Sequence, residues 1–185
     1  VLYNTAFAAA ADGTDGNDSI QTGIVIGDGG YNQTFTGTDG GDGSDTNIAG
    51  EDSGNGGKGG NASASGTITA KDTGNDITLT VNGGAGGRGG SVGNDSLSDE
   101  ERAALGDHNG RGGDGGSAKI DLAVQDVQTK VLNLTAKGGV GGEAQNSYAK
   151  VTEFGDGGKG GDATITIKVA GTGFQAESIT LSAQG

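Results

Sequence analysis

The sequence predicts an all-β protein of repeated β-hairpins joined by glycine-rich segments of polyglycine II type, with one short helical insertion. Three observations predict it. Glycine tracts of one design recur at Gly54–Ala62, Gly110–Ala118 and Gly155–Ala163. Each runs straight into a segment with apolar residues at alternate positions: Ala62, Ala64, Ile68 and Ala70 with Gly66 in the gap, then Ala118, Ile120, Leu122 and Val124, then Ala163, Ile165, Ile167 and Val169. Finally, 43 of the 185 residues are glycine and none is proline, which excludes collagen and its proline-rich triplets. A register this regular indicates stacked repeat units.

With glycine at two positions in three, each tract suits an extended threefold helix rising about 3.1 Å per residue. The third positions then form one side-chain column: Asn55, Lys58 and Asn61, then Arg111, Asp114 and Ser117, then Asp156, Lys159 and Asp162. The other two faces carry only Gly56, Gly57, Gly59 and Gly60, their equivalents Gly112, Gly113, Gly115 and Gly116, and Gly157, Gly158, Gly160 and Gly161. Bare faces let other backbones approach closely enough to exchange N–H and C=O bonds. A sheet-like or hexagonal layer of such helices is expected, within one chain or between chains; the competing reading is a set of flexible linkers.

Two strands should follow each tract. Ala62–Ala70 turns through residues 71–76 into Ile77–Val81; the second copy turns near residues 125–129 and returns as Leu132–Ala136; the third turns around 171–173 and returns as Ile179–Ala183. Apolar residues alternate with Thr, Ser and Lys, giving each strand one buried face. The return strand enters a second glycine tract at Gly83–Gly90 and at Gly138–Gly142, and the third copy reaches Gln184-Gly185 where such a tract should begin, so a longer natural chain is expected. Segments 54–109, 110–154 and 155–185 are thus three repeats, the last truncated. Residues 1–53 form an acidic N-terminal β segment with a hairpin of Ile20–Ile26 and Tyr31–Thr36.

Two insertions interrupt the repeats. Residues 97–106 read as a short helix with a capping box from Ser98 to Glu101 and Gly106 at its stop. Residues 144–154 carry Tyr148, Val151 and Phe154 and read as a packed loop. Loops 91–109 and 145–154 are where a receptor or glycan would be met, against a reading in which both insertions are packing decoration.

The net charge of −13 is uneven: residues 1–57 hold nine acids and no Lys or Arg. Such a surface repels phosphate backbones and anionic lipid, so nucleic acid is not an expected partner. No run of about eighteen apolar residues is present to span a membrane. Without cysteine there is neither a disulfide framework nor a thiolate metal site. An acidic, cysteine-free chain rich in Gly, Asn, Thr and Asp points to an extracellular or cell-surface location. The mildly apolar start, with Val1, Leu2, Tyr3 and Phe7, reads as a first strand or an assembly arm that packs on a neighbour, and alternatively as the remnant of a signal-cleavage region.

Catalytic chemistry has little to stand on. His108 is the single histidine, and the many Ser and Thr lie at turns or strand faces. Lys58 and Lys159 are followed by glycine and then strand, unlike a phosphate-binding loop. No enzyme activity and no obligatory cofactor are expected. Asn-x-Ser/Thr sequons are no more frequent than this composition makes them by chance. Threonine arrays such as Thr78-Leu79-Thr80 and Thr164-Ile165-Thr166 would suit an ice-binding face, but threonine on a strand's solvent face is ordinary β-propensity.

The best chemical candidate is aspartate spacing. Residues 13–20, with Asp15 and Asp18, and 40–48, with Asp42 and Asp45, resemble the calcium-binding nonapeptide of secreted RTX proteins, although Thr14 stands for a glycine and Ile48 comes one place late. Calcium is therefore a candidate ligand, against a reading in which these acids are simply the side-chain column of a glycine helix. More broadly, the tract–strand–tract units of residues 54–185 resemble the glycine-rich repeats of very large bacterial surface proteins, including autotransporter and RTX-type adhesins, and more weakly the polyglycine-helix adhesins of phage tail tips. That resemblance implies export, repetition and a role in adhesion or surface construction. The leading expectation is a secreted structural protein that self-assembles into a filament or surface array; the alternative is an adhesin module acting through its loops.

Overall fold

The computed structural model describes residues 10–48, 51–93, 98, 100–101, 108–145 and 155–185. Six strands are present, β1 (Ser19–Ile26), β2 (Tyr31–Thr36), β3 (Ala62–Ile68), β4 (Asp76–Asn82), β5 (Ala118–Lys137) and β6 (Ala163–Gln184). The protein is all-β, as the alternation predicts.

The pairing differs from a row of hairpins. Every strand pair is parallel: β1 with β3, β3 with the first half of β5, β2 with β4, β4 with the second half of β5, and β6 along β5 over both halves. The two arms of a unit, such as β3 and β4, do not hydrogen-bond to each other. They face one another across the core, and each pairs with the corresponding arm of the next unit. The physical reason lies in the inward faces. Ala62, Ala64 and Ile68 on one arm and Ile77, Leu79 and Val81 on the other are all buried, so the arms need separation for interdigitating side chains rather than a shared ladder.

Four units stack in this way. Residues 10–45 form the first with the same tract–strand–turn–strand–tract order as the others, followed by 54–90, 110–143 and 155–184. In the third and fourth units the two arms are one bent strand. Asp126 adopts φ 47° at the bend of β5, and Gly171 takes φ 97° opposite it in β6, where a Cβ would lie 2.5 Å from Asp126 Oδ1.

The core is a single column of Ile, Leu, Val and Ala from both arms of the curled sheet, with Ile120, Leu122, Val124, Leu132 and Leu134 at its centre. It tapers. Ala62, Ala118 and Ala163 share one row, and Val81, Ala136 and Ala183 another, both next to the glycine tracts. Small side chains are required there because sheets about 10 Å apart give way to bare backbones in near contact.

Candidate assembly surface

Beyond the strands the chain continues as a bundle of threefold helices. Four ascend into the sheets (residues 10–18, 54–61, 110–117 and 155–162) and three descend from them (37–45, 83–90 and 138–143). Their hydrogen bonds repeat every third residue, the signature of polyglycine II. Along the ascending layer, Gly13 and Gly16 N–H donate to the carbonyls of Asn55 and Lys58, Gly56 and Gly59 to those of Arg111 and Asp114, and Gly112 and Gly115 to those of Asp156 and Lys159, all at 2.7–2.9 Å. Between layers, Gly57 donates to Gly41, Gly87 to Gly57, Gly113 to Gly87, Gly142 to Gly113 and Gly158 to Gly142 at 2.8 Å. The layers therefore interlock within one chain, and the tracts are not linkers.

This contact excludes side chains. A Cβ on Gly57 would lie 2.1 Å from the Thr14 carbonyl oxygen, and one on Gly56 2.0 Å from that of Gly87. Gly59, Gly60, Gly112, Gly113, Gly115, Gly116, Gly158 and Gly161 are equally enclosed. Gly157 and Gly160 are not: the nearest atoms are the carbonyl oxygens of Gly142 at 3.6 Å and Gly139 at 3.8 Å. These two face the place a fourth descending helix would take.

The third positions carry a second bonding system that the spacing alone did not disclose. The backbone N–H groups of Asn55, Lys58 and Asn61 donate to Oδ1 of Asp12, Asp15 and Asp18 at 2.7–2.8 Å. Those of Arg111 and Ser117 donate to the amide oxygens of Asn55 and Asn61, and that of Lys159 to Asp114 Oδ1. In the descending layer Ala85, Arg88 and Ser91 donate to Asp39, Asp42 and Asp45. Aspartate or asparagine at a third position thus holds a backbone N–H of the next unit. Asx in the column of one unit, with another tract about 45 residues on, is the signal that could have revealed it.

The four acids considered for calcium are all in this ladder. Asp15 and Asp18 belong to the ascending layer, Asp42 and Asp45 to the descending one, and each already accepts a backbone N–H, which favours the column reading. Among the described residues no group of three or more His, Asp or Glu is placed to hold a metal ion. Asp114 feels its setting most: the Lys159 backbone N–H, aided by the charges of Arg111, Lys58 and Lys159, holds its carboxyl below the ordinary range against a smaller opposing effect of desolvation. His108 lies at the loop end, with Nδ1 3.1 Å from Asp52 Oδ1.

Residues 93 and 145, which lead into the two insertions, lie at that same end. Ser98 and Glu101 make the expected capping box, Ser98 N–H to Glu101 Oε2 at 2.8 Å and Glu101 N–H to Ser98 Oγ at 3.3 Å, while most of the helix expected over 97–106 lies outside the described residues. So do residues 146–154 of the second loop and Val1, Leu2, Tyr3 and Phe7. Buried Ser53 ties the loop end together by donating to the Gly90 carbonyl at 2.8 Å and accepting from Gly110 N–H at 2.6 Å. Beside it a cleft of about 650 Å³ is lined by Asp42, Asp45, Arg88, Ser91 and Gln145 among others.

The opposite feature is the open side of β6. Its inward residues Val169, Ile179 and Leu181 are 61%, 49% and 52% exposed, whereas their partners in β5, Val124, Leu132 and Leu134, are each 0% exposed. Among the described residues, no strand pairs with the outer edge of β6.

Fold and surface together define a parallel stack of β-units continued by a polyglycine II bundle. No family model matches the chain, and no curated protein matches it. Among solved structures, the springtail antifreeze protein of Granisotoma rainieri, a bundle of nine polyproline type II helices, is similar at 21% identity. That match covers 89% of this chain and 97% of the other, with a TM-score of 0.29. Likeness of that degree carries no weight for fold or function. Among the described residues no helix is long and apolar enough to cross a membrane.

Proposed function

We propose that this chain is an extracellular or cell-surface structural protein that self-assembles end to end into a filament or array. One observation carries the reading: the core is sealed between units and open beyond β6, where Val169, Ile179 and Leu181 are about half exposed or more. A further unit of the same form, supplied by a second copy, would bury them as β5 buries its neighbours. Each unit pairs in parallel and in register with the next, so repeating that relation between copies is head-to-tail and builds an open assembly. Such contacts build open filaments. Unpaired strand edges favour the same outcome.

The extracellular placement rests on composition and on the resemblance to surface repeats. Electron microscopy and fibre diffraction of the purified chain test the assembly. Filaments should form with a meridional reflection near 4.8 Å and, for four units per copy, an axial rise of roughly 19 Å per subunit. A monodisperse monomer at all accessible concentrations would overturn the reading.

A second reading, an adhesin, has the loop end in its favour. The Arg88–Gln145 cleft lies at the loop end, where Gly93 and Gln145 lead into the two insertions. Exchanging residues 91–109 and 145–154 for unrelated loops would then change binding to cells or glycans and leave any polymer intact.

A further inference from the structure

We infer that the joint between copies has a defined register, in which Asp156, Lys159 and Asp162 of one copy meet Asp12, Asp15 and Asp18 of the next. The inference rests on the end-to-end reading above and specifies its interface.

The two ends of the ascending layer are complementary. Within the chain, the N–H following each column residue donates to the column carbonyl of the next unit, and each column Asx accepts the column N–H of the next unit. At the β6 end, Gly157 and Gly160 N–H have no acceptor among the described residues, and the carboxylates of Asp156 and Asp162 accept no hydrogen bond there. At the β1 end, the carbonyls of Asp12, Asp15 and Asp18 have no donor among the described residues, and their N–H groups have no acceptor there. Repeating the internal rule across the joint satisfies both sets. Gly157 and Gly160 N–H go to the carbonyls of Asp12 and Asp15, and Asp156 and Asp162 accept the N–H groups of Asp12 and Asp18. Among the described residues no descending helix lies against Gly157 and Gly160.

Backbone bonding sets this register, and charge makes the joint weaker than an internal contact. The middle row alternates as Asp15, Lys58, Asp114, Lys159, so an incoming Asp15 continues it beside Lys159. The flanking rows run Asp12, Asn55, Arg111, Asp156 and Asp18, Asn61, Ser117, Asp162. In none of these three rows are two acids adjacent inside the chain. At the joint, Asp156 meets Asp12 and Asp162 meets Asp18. Inside, Asp12 and Asp18 face neutral Asn55 and Asn61. The joint keeps the acceptor and adds a like charge, which makes association reversible and concentration-dependent.

Two sets of variants of the 185-residue chain test this. Asp156→Asn with Asp162→Asn retains both acceptor oxygens, removes the repulsion, and should lower the critical concentration for assembly by roughly threefold or more. Because the chain has no cysteine, register is also readable directly. Mixing an Asp15→Cys chain with a Lys159→Cys chain and oxidising should give disulfide-linked dimers, adjacent columns being close enough for the bond. Asp15→Cys mixed with Asp162→Cys, displaced by one triplet or about 9 Å along the axis, should not. Filaments that cross-link only in the displaced pair, or that form no more readily in the Asn variant, would overturn the register and leave end-to-end assembly standing. Absence of oligomers from the natural sequence and every variant would remove both.

Discussion

Asp15 Oδ1 accepts the backbone N–H of Lys58 at 2.8 Å, across 43 residues of sequence. One carboxylate oxygen thereby does for a glycine helix what a ladder bond does for a strand. The same contact recurs at Asp12, Asp18, Asp39, Asp42 and Asp45. The acidic N-terminal third is built into the stack by its acids.

Asp15→Asn and Asp42→Asn should leave stability nearly unchanged, because the amide oxygen accepts the same N–H, as Asn55 and Asn61 already do. Asp15→Ala and Asp42→Ala should each cost about 1 kcal/mol in urea unfolding. Chelation by EDTA should not move the melting temperature. Asn variants that unfold as readily as the Ala variants, together with a chelator effect, would return these acids to a calcium role.

The glycine lattice makes a contrast between adjacent residues. Gly158→Ala drives a Cβ to 1.9 Å from the Gly113 carbonyl oxygen, whereas Gly157→Ala meets nothing nearer than 3.6 Å. Thermal melts should show Gly158→Ala losing several °C or failing to fold, with Gly157→Ala close to the parent. Equal behaviour of the two would argue against the interlocked bundle.

Leu134→Ala removes a side chain that is wholly enclosed, and a loss of about 2–5 kcal/mol is expected in chemical denaturation. Leu181→Ala, its register partner at the open edge, should cost the isolated chain much less and should instead raise the concentration needed for assembly. A large loss of monomer stability at Leu181 would show that the edge is already covered in solution.

Acid should weaken the ladder at Asp114. Its folded-state carboxyl is held low, so its contribution is present above the ordinary carboxylate range and is lost as pH falls through the depressed value. Asp114→Asn should flatten the fall in melting temperature below about pH 4. A variant whose acid limb superimposes on that of the parent would show that the Lys159 contact is not maintained in solution.

How much of this was legible in the sequence depends on how local the cause is. The alternation of Ile120, Leu122 and Val124 and of Leu132 and Leu134 identified the buried face, since side chains of a strand alternate whatever its neighbours do. The triplet spacing of Asn55, Lys58 and Asn61 likewise identified the exposed column, and paired glycines in each triplet identified faces made for close approach. The capping box of Ser98 and Glu101 was readable because its partners are three residues apart.

Pairing was not readable. Alternation says which face of β3 is buried and is silent on whether its hydrogen bonds go to β4, just across the turn, or to β5, more than 50 residues away. Only the tertiary structure decided for β5, because inward side chains on both arms must fill the space between them, which forbids the arms a common ladder. The acids followed the same logic. From sequence alone, Asp15 and Asp42 read as calcium candidates or, more simply, as the side-chain column of a glycine helix. Stacking brings a backbone N–H of the next unit to 2.8 Å from each carboxylate, a contact that no local pattern announces. Sequence by itself determined the period and the faces, which are properties of one chain segment. The tertiary structure decided the partners, because a hydrogen bond between units depends on which distant segment is packed beside it.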